Sequence, residues 1–276
     1  MSSKITVIIH AGLGNQLFMI FTCISKALDE NKDFSIYPIY NNQHRSYYFT
    51  SLLKELIFKV ETNITEVQKG IGYEEKAFNY NPIPKDVQLL MGYFQSPKYF
   101  DHNKEKIINI TGLNKFMDKY KFTDKTITIH LRFGDSSYNQ CNHTILKPSY
   151  YIKSLNKLLD LVPNAINEYK FMIFAEKNDD ELVNDYIDDL TIAFDNKINF
   201  YKFNDIYPNL RDYQELMYMS SSDHFIIGSS TYSWFAAYLS KNNNKKVIYP
   251  EEWFGPNSND KSTKDLFPDD WIKIKS

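Results

Sequence analysis

The sequence has little of several features that mark particular protein classes. Its 276 residues include two cysteines, Cys23 and Cys141, so a disulfide framework is excluded and one bridge at most can form. No apolar run approaches the roughly 18 residues that a membrane span needs. The apolar run at residues 5–9 is short for a signal-peptide core and no small-residue cleavage pattern accompanies it. We therefore expect a cytoplasmic protein with no membrane span.

An excess of charge of one sign is also missing. The net charge is -2 and the pI is near 6.3, which argues against a general polyanion binder and predicts no nucleic-acid partner. Hydrophobic residues make up 43% and aromatic residues 16% of the chain, so a sizeable core is available and disorder is excluded. The length suits one large α/β domain or two small ones.

Two catalytic sequence patterns are absent. No D-x-D triplet occurs, and such a carboxylate pair would be expected to hold a divalent cation on a diphosphate. The segment Cys141-Asn142-His143 has too few ligands for a zinc site, so we predict no metal. The G-x-S-x-G turn of serine hydrolases is missing as well.

Short apolar runs alternate with helical patterns in the second half of the chain. We predict strands at 126–131, 170–175, 197–201, 224–227 and 246–249, and helices at 149–161, 179–190, 210–220 and 232–240. Strands that alternate with helices of this length indicate parallel βαβ units that are buried on both faces.

The first half of the chain is less regular. We predict strands at 5–10, 34–38 and 88–91 and a helix near 97–106. The sequence therefore favours an α/β fold of two Rossmann-type lobes whose parallel sheets face a cleft. We place the N-terminal lobe at residues 1–120 and the C-terminal lobe at 121–276.

Parallel sheets bind ligands beyond the carboxyl ends of their strands, so the residues directly after each strand are candidates for function. The first such segment is His10–Phe18. Gly12 and Gly14 would let the backbone approach a ligand, and the start of the following helix favours an anion. The alternative is a tight turn in which Asn15 caps the helix.

The second segment is His130–Asp135, directly after a predicted strand. Arg132 can donate two parallel hydrogen bonds to phosphate oxygens, and His130 would face the same cleft. Asp135 could accept a proton or orient Arg132. The alternative is a structural ion pair between Arg132 and Asp135.

The third segment has three consecutive hydroxyl residues, Ser229, Ser230 and Thr231, in front of an apolar helix. Hydroxyl groups and free helix N–H groups together can bind phosphate without a metal. The alternative is an ordinary N-cap, which needs one hydroxyl.

Five segments in this order resemble the α-1,2-fucosyltransferases of glycosyltransferase family 11. They are GLGNQLF (12–18), GYFQSPKYF (92–100), HLRFGD (130–135), SSTYSWFAAYL (229–239) and VIYPEEWF (247–254). The resemblance implies a metal-independent, inverting transfer of L-fucose from GDP-fucose to a sugar hydroxyl, typically the 2-OH of a galactoside in an oligosaccharide acceptor. It also implies a GT-B-like fold with the donor mainly in the C-terminal lobe, the acceptor on the N-terminal side, and no cofactor beyond the donor substrate.

The resemblance also implies roles for individual residues. Arg132 would hold the diphosphate, His130 would contact guanine or ribose, and Ser229, Ser230 and Thr231 would bind the β-phosphate. Glu176 could accept hydrogen bonds from guanine N1 and N2. Asn15 would lie across the cleft near the transferred sugar.

The base that accepts the proton of the acceptor hydroxyl is left open between three possibilities. Asp135 is our candidate, but it could instead orient Arg132. A diphosphate that takes the proton itself would need no protein base.

The chain departs from the family pattern at several positions. Phe133 replaces a second arginine, Ser136 a tyrosine, Gly228 an asparagine, and Glu176-Lys177 a pair of aspartates. Phe133 and Glu176-Lys177 motivate one alternative, a transferase for another GDP-linked deoxyhexose. A second alternative is a catalytically silent nucleotide- or glycan-binding homologue.

Overall fold

A computed structural model of the chain describes residues 4–39, 46–63, 71–133, 144–258 and 261–276. The chain forms two compact units. The N-terminal unit comprises Met1–Phe116 and Lys261–Pro268, and the C-terminal unit comprises Met117–Asp260 and Asp269–Ser276. Residues 261–268, which were predicted to lie in the C-terminal lobe, belong to the N-terminal unit. The Asp265 carboxylate holds them there, because it accepts hydrogen bonds from the Lys98 ammonium and the Tyr80 amide of that unit.

The N-terminal unit is built on a parallel sheet with the strand order β2-β1-β4-β3. Its strands are β1 (Ile5–Ile9), β2 (Phe34–Pro38), β3 (Gly72–Glu74) and β4 (Leu89–Met91). Helix α1 (Leu13–Asp29) follows β1 and is buried over most of its length. The β-branched residues of β1 fill this core, since Ile5, Val7 and Ile9 are fully buried.

The helix predicted near 97–106 begins later in the structure. Pro97–Tyr99 and Asp101–Asn103 are single 3-10 turns, and α2 (Lys104–Thr111) starts only after them. The cause is local, because Ser96 caps the first turn at Pro97 and Phe100 leaves helical geometry with φ -145°. Helix α3 (Leu113–Lys119) follows Gly112, whose φ of +73° ends α2. A further 3-10 helix covers Lys54–Lys59.

The C-terminal unit is built on a second parallel sheet with the strand order β10-β9-β8-β5-β6-β7. Its strands are β5 (Thr126–His130), β6 (Lys170–Phe174), β7 (Phe200–Lys202), β8 (His224–Ile226), β9 (Val247–Pro250) and β10 (Ile272–Ile274). Its helices are α4 (Pro148–Leu161), α5 (Ala165–Glu168), α6 (Asp180–Ala193), α7 (Phe203–Ile206), α8 (Asp212–Ser220) and α9 (Thr231–Leu239), with 3-10 turns at Lys177–Asp179 and Pro256–Ser258.

Side chains along β5 and the segment after it alternate between two environments, as an extended chain requires. Ile127, Ile129, Leu131 and Phe133 all enter the core that also contains residues of α4 and α6. The residues between them point the other way, and the His130 ring lies 6.0 Å from a ring on α9. This alternation places the Phe133 side chain in the core.

The predicted fold class is confirmed, since the chain is an α/β protein with two lobes that are each built on a parallel sheet. The short strands β3 and β10 were not predicted. Within the described residues, no helix combines the length and the apolar character that crossing a membrane requires.

Candidate active site

The carboxyl ends of β5 and β6 bring two predicted residues together. Arg132, two residues after β5, forms an ion pair with Glu176, two residues after β6. The Arg132 side chain is 19% exposed, whereas that of Glu176 is 54% exposed. The structure therefore places a largely buried guanidinium against a carboxylate at this edge of the sheet. Asp135, the partner in the alternative interpretation, lies outside the described residues.

Gly228 brings the end of β8 against the same arginine. A Cβ atom at Gly228 would lie 3.0 Å from the His130 carbonyl oxygen and 3.2 Å from Arg132 Cβ. The contact with a backbone atom cannot be relieved by moving a flexible side chain. The close approach of the segments after β5 and β8 therefore favours a residue without a side chain, since a Cβ would force a shift of a few tenths of an ångström.

His130, the last residue of β5, is buried next to this arginine. Burial and the nearby positive charge of Arg132 lower the pKa of His130 to about 3. Its Nδ1 atom is buried and has no hydrogen-bond partner among the described residues. His130 is therefore neutral at physiological pH and suits hydrogen bonding to a ligand rather than proton transfer.

The three hydroxyl residues have different roles in the structure. The Ser229 hydroxyl donates to the Thr144 carbonyl oxygen at 3.1 Å. Ser230 is the N-cap of α9, and its Oγ accepts a hydrogen bond from the Tyr232 amide at 3.3 Å. Thr231 is the first residue of the helix. The N-cap interpretation is thus correct for Ser230, and the positive end of α9 begins close to Arg132.

Two buried tyrosines support this edge of the sheet from the core side. The Tyr151 hydroxyl donates to the His130 carbonyl oxygen at 3.2 Å, and the Tyr150 hydroxyl donates to the Ile227 carbonyl oxygen at 2.8 Å. Burial raises the pKa of both phenols. These bonds fix the backbone at the ends of β5 and β8.

A shallow depression, open to solvent, adjoins Glu176. Its lining comprises Ile173, Ala175, Glu176, Asp180, Val183, Lys202 and Asn204. The Asn204 side-chain amide donates to the Ala175 carbonyl oxygen at 3.0 Å, and the Lys202 ammonium pairs with Asp180 at 2.8 Å. The end of β6 thus has an apolar floor with polar groups around it.

Glu215 on α8 is a candidate that sequence reasoning missed. Burial is the main cause that raises its pKa to about 8, and the negative charges of Asp212 and Glu176 add to it while Lys177 opposes it. The residue directly precedes buried Leu216 and Met217. In the sequence, Glu215 could have been found only as an acidic residue next to the apolar face of a predicted helix, which is a weak signal.

Gly12, Gly14 and Asn15 lie where β1 of the N-terminal unit leads into α1. Gly12 precedes the helix in extended conformation, and a Cβ on it would meet none of the described atoms within 4 Å. Gly14 is buried in the first turn of α1. The left-handed backbone position is Ala11, with φ +63°. Asn15 does not cap the helix, since its Oδ1 accepts a hydrogen bond from Gln95 Nε2 at 2.8 Å.

The segment after β4 lies close to this turn. The Glu75 carboxylate accepts hydrogen bonds from the Tyr93 and Phe94 amides at 2.8 and 2.9 Å. The His10 and Tyr93 rings meet edge to face, with their centroids 4.8 Å apart. Gln95 of this segment is a second residue that was missed, because its role depends on a partner 80 residues away.

The described parts of the chain contain no group of three or more His, Cys, Asp or Glu side chains arranged to hold a metal ion. The predicted residues instead form two sets. His130, Arg132, Glu176 and the start of α9 come together in the C-terminal unit, while Gly12, Gly14 and Asn15 come together in the N-terminal unit.

Fold and site define an α/β protein with an arginine, a neutral histidine and a helix N-terminus at the carboxyl edge of a parallel sheet. The model of glycosyl transferase family 11 matches residues 71–275, and the chain belongs to this family.

Two relatives from Escherichia coli show the extent of the similarity. An alpha-1,2-colitosyltransferase is 26% identical over 211 residues, which cover 73% of this chain and 68% of the relative. The O-antigen biosynthesis glycosyltransferase WbnK is 26% identical over 209 residues, covering 69% of this chain and 62% of the relative. Among solved structures, the E. coli ADP-heptose LPS heptosyltransferase II has a TM-score of 0.49 at 12% identity, covering 98% of this chain and 90% of that one.

Proposed function

We propose that this protein is an inverting α-1,2-fucosyltransferase that moves L-fucose from GDP-fucose to the 2-OH of a galactoside. The acceptor is a galactose-containing oligosaccharide, and the reaction uses no metal and no cofactor beyond the donor. Membership of family 11 supports the class of reaction. The single observation that carries the donor assignment is the largely buried Arg132 at the carboxyl edge of the C-terminal sheet, beside the start of α9.

The donor diphosphate would take the place of Glu176 on Arg132. A carboxylate and a phosphate offer similar pairs of oxygens to a guanidinium, so a diphosphate could replace Glu176 on Arg132. The exchange would free Glu176 to accept hydrogen bonds from guanine N1 and N2. His130, being neutral, would contact guanine or ribose.

The start of α9 would supply the remaining donors to the β-phosphate. The hydroxyls of Ser230 and Thr231 and the helix dipole all favour an anion at this point. Ser229 joins them only by giving up its hydrogen bond to Thr144.

In the reaction, the acceptor oxygen attacks the anomeric carbon of fucose from the face opposite GDP. The bond between that carbon and the phosphate oxygen breaks, and GDP leaves with the electron pair. His130 is unsuited as the base because its pKa is about 3. We propose that Asp135 takes the proton of the acceptor hydroxyl, or that Asp135 orients Arg132 and the leaving diphosphate takes the proton. Gly12 and Gly14 would bind the donor, and Asn15 would lie near the transferred sugar.

A second candidate is the same reaction with another GDP-linked deoxyhexose. The relative named as an alpha-1,2-colitosyltransferase favours it, as does the Glu176-Lys177 departure. A catalytically silent homologue is less favoured, because His130, Arg132 and Glu176 are all present and brought to one edge.

The test is a calorimetric titration with GDP, with UDP as the control and EDTA present throughout. Selective GDP binding supports the proposal, whereas binding of UDP alone, or binding that needs a divalent ion, contradicts it. A panel of GDP-linked sugars, assayed by GDP release with galactoside acceptors, then separates fucose from other deoxyhexoses. GDP-fucose binding without release across the panel would indicate a silent homologue.

A further inference from the structure

Two side-chain amides meet at the carboxyl ends of β1 and β4 in the N-terminal unit. Gln95 Nε2 donates to Asn15 Oδ1 at 2.8 Å. Gln95 is 7% exposed, whereas Asn15 in the first turn of α1 is partly exposed. One amide of the pair is therefore buried in the unit, and the other reaches its surface.

The backbone that presents Gln95 is firmly held. The Glu75 carboxylate binds the two amides directly before it, those of Tyr93 and Phe94. Phe94 adopts a left-handed conformation with φ +52°, and the Ser96 amide donates to the Phe94 carbonyl oxygen at 2.7 Å. Such a conformation persists only where surrounding contacts fix it, so the backbone on either side of Gln95 is held in place.

The Gln95 amide is only half satisfied. Its Oε1 is buried and has no hydrogen-bond partner among the described residues. A buried unpaired polar atom costs free energy and in a native protein calls for an explanation. The Oε1 of Gln16 is buried without a described partner in the same way, but its Nε2 holds the backbone carbonyls of Ala11 and Ser46 at 2.8 and 2.9 Å. Gln16 fixes backbone, whereas Gln95 fixes a side chain.

We propose that Gln95 is a positioning residue that sets the polarity of Asn15. With Oδ1 held by Gln95, the Asn15 amide presents its Nδ2 hydrogens, so Asn15 donates to an oxygen of the bound sugar. A carboxamide turned by 180° has nearly the same shape but the opposite polarity, so a fixed donor is needed to choose between the two orientations. The inference rests on the proposed function for the identity of the sugar.

The first test is Gln95→Met, which keeps the volume, removes the donor and also removes the unpaired oxygen. We expect kcat to fall by about 10- to 100-fold, since small losses of orientation are costly in catalysis. The affinity for GDP and the Tm should stay at or above the wild-type values, because replacing a half-satisfied amide by an apolar group of similar shape is nearly neutral or stabilising.

Asn103→Ala is the matched control in the same unit. Asn103 is also a buried amide, and its Nδ2 donates to Asp29 Oδ1 at 2.8 Å and Ser25 Oγ at 3.1 Å, near the other end of α1. This variant should lower the Tm and leave kcat unchanged. A Gln95→Met protein whose kcat falls no more than that of Asn103→Ala overturns the proposal.

Gln95→Glu tests the polarity itself. The introduced carboxyl can donate to Asn15 Oδ1 only when protonated, and when ionised it accepts from Nδ2 and turns Asn15 round. We expect the ratio of variant to wild-type kcat to rise as the pH is lowered from about 8 to about 5. Effects on kcat from titration of the neighbouring His10, Glu75 and Tyr93 cancel in this ratio, because both proteins contain these residues. A flat ratio contradicts the proposal.

A measurement without substrate separates this inference from the proposed function. The side-chain amide resonances of Gln95, assigned by their loss in Gln95→Met, should shift in Asn15→Ala and not in Asn103→Ala. If they shift while the wild type transfers no sugar from any donor, the proposed function fails and the pairing stands. If the wild type transfers fucose and the resonances do not shift, the inference alone is wrong.

Discussion

The two ends of β5 and β6 both carry ion pairs that join these strands, yet the surroundings of the pairs differ. At the amino ends, Lys125 pairs with Glu168 at 2.7 Å and Lys170 with Asp124 at 2.6 Å. All four side chains are at least 42% exposed. At the carboxyl ends, Arg132 pairs with Glu176, and the arginine is only 19% exposed.

The difference predicts that position in the sheet, rather than the presence of an ion pair, distinguishes a ligand-binding charge from a structural one. Water screens the charges at the amino ends, so those pairs contribute little to stability or to ligand binding. Arg132 instead packs against Gly228 and beside the neutral His130. A guanidinium with less water around it interacts more strongly with an incoming anion.

The largest expected effect that sharpens this comparison is that of Arg132→Ala. Loss of a preorganised donor to the leaving group should lower kcat by about 10²–10³-fold. Arg132→Lys should be nearly as impaired, because an ammonium cannot donate two parallel hydrogen bonds in one plane. Initial rates of GDP release, with GDP affinity by calorimetry, measure both. Turnover within a few-fold of wild type would show that Arg132 does not hold the diphosphate.

A smaller effect is expected for Gly228→Ala, which leaves every charged group in place. The new methyl group would press on the His130 carbonyl oxygen and on Arg132 Cβ, so the arginine must shift by some tenths of an ångström. We expect kcat/KM to fall by about tenfold. Gly72→Ala is the matched control, since its Cβ would meet only the flexible end of Met91 at 3.3 Å. Equal activity of the two variants would count against a role for the close approach.

The sequence predicted the parts of this site that depend on local pattern. Buried apolar runs marked β5, β6 and β8, and the rule for parallel sheets then indicated Arg132, Glu176 and the hydroxyl run. It did not predict that Arg132 and Glu176 pair, because that depends on the order of strands in the sheet. The strands β3 and β10 were missed because three residues carry too little periodicity.

Contacts between residues that are far apart along the chain could not be predicted from the sequence either. Gln95 and Asn15 meet only because β1 and β4 are neighbours in the sheet. The raised pKa of Glu215 depends on how α8 packs near Glu176. The Phe133 departure was predicted to bear on the donor, yet the alternation of side chains places this residue in the core against Tyr186.

Glu215 extends the comparison to stability. Its pKa is raised from 4.5 to about 8 in the folded protein, so the folded state holds its proton more tightly than the unfolded state. Its contribution to stability is therefore present below about pH 4.5 and is lost as the pH rises toward 8. Glu215→Gln should remove this loss. We expect its Tm to match wild type at low pH and to exceed it by about 3 °C or more near pH 8.5.

Glu168→Gln is the control for this measurement at the amino ends of the strands. The hydrogen bond and charge of Lys125 lower the pKa of Glu168, so its variant should never be more stable than wild type at high pH. Thermal unfolding across pH compares the two. A Tm difference for Glu215→Gln that is independent of pH would mean that its carboxyl is not held neutral by the fold.

The smallest effect is expected for Lys125→Ala, and it is the most direct way to break the comparison. Lys125 joins the same two strands as Arg132, and its contact with Glu168 raises the pKa of Lys125. If contact with a carboxylate were sufficient for a role in turnover, the two residues would be functionally equivalent. Because both partners at the amino ends are exposed, we expect unchanged turnover, unchanged GDP affinity and no change in Tm that persists at high salt. A loss of turnover like that of Arg132→Ala would mean that the two ends of the sheet do not differ in function. Unchanged turnover beside an inactive Arg132→Ala would assign the activity to the carboxyl edge.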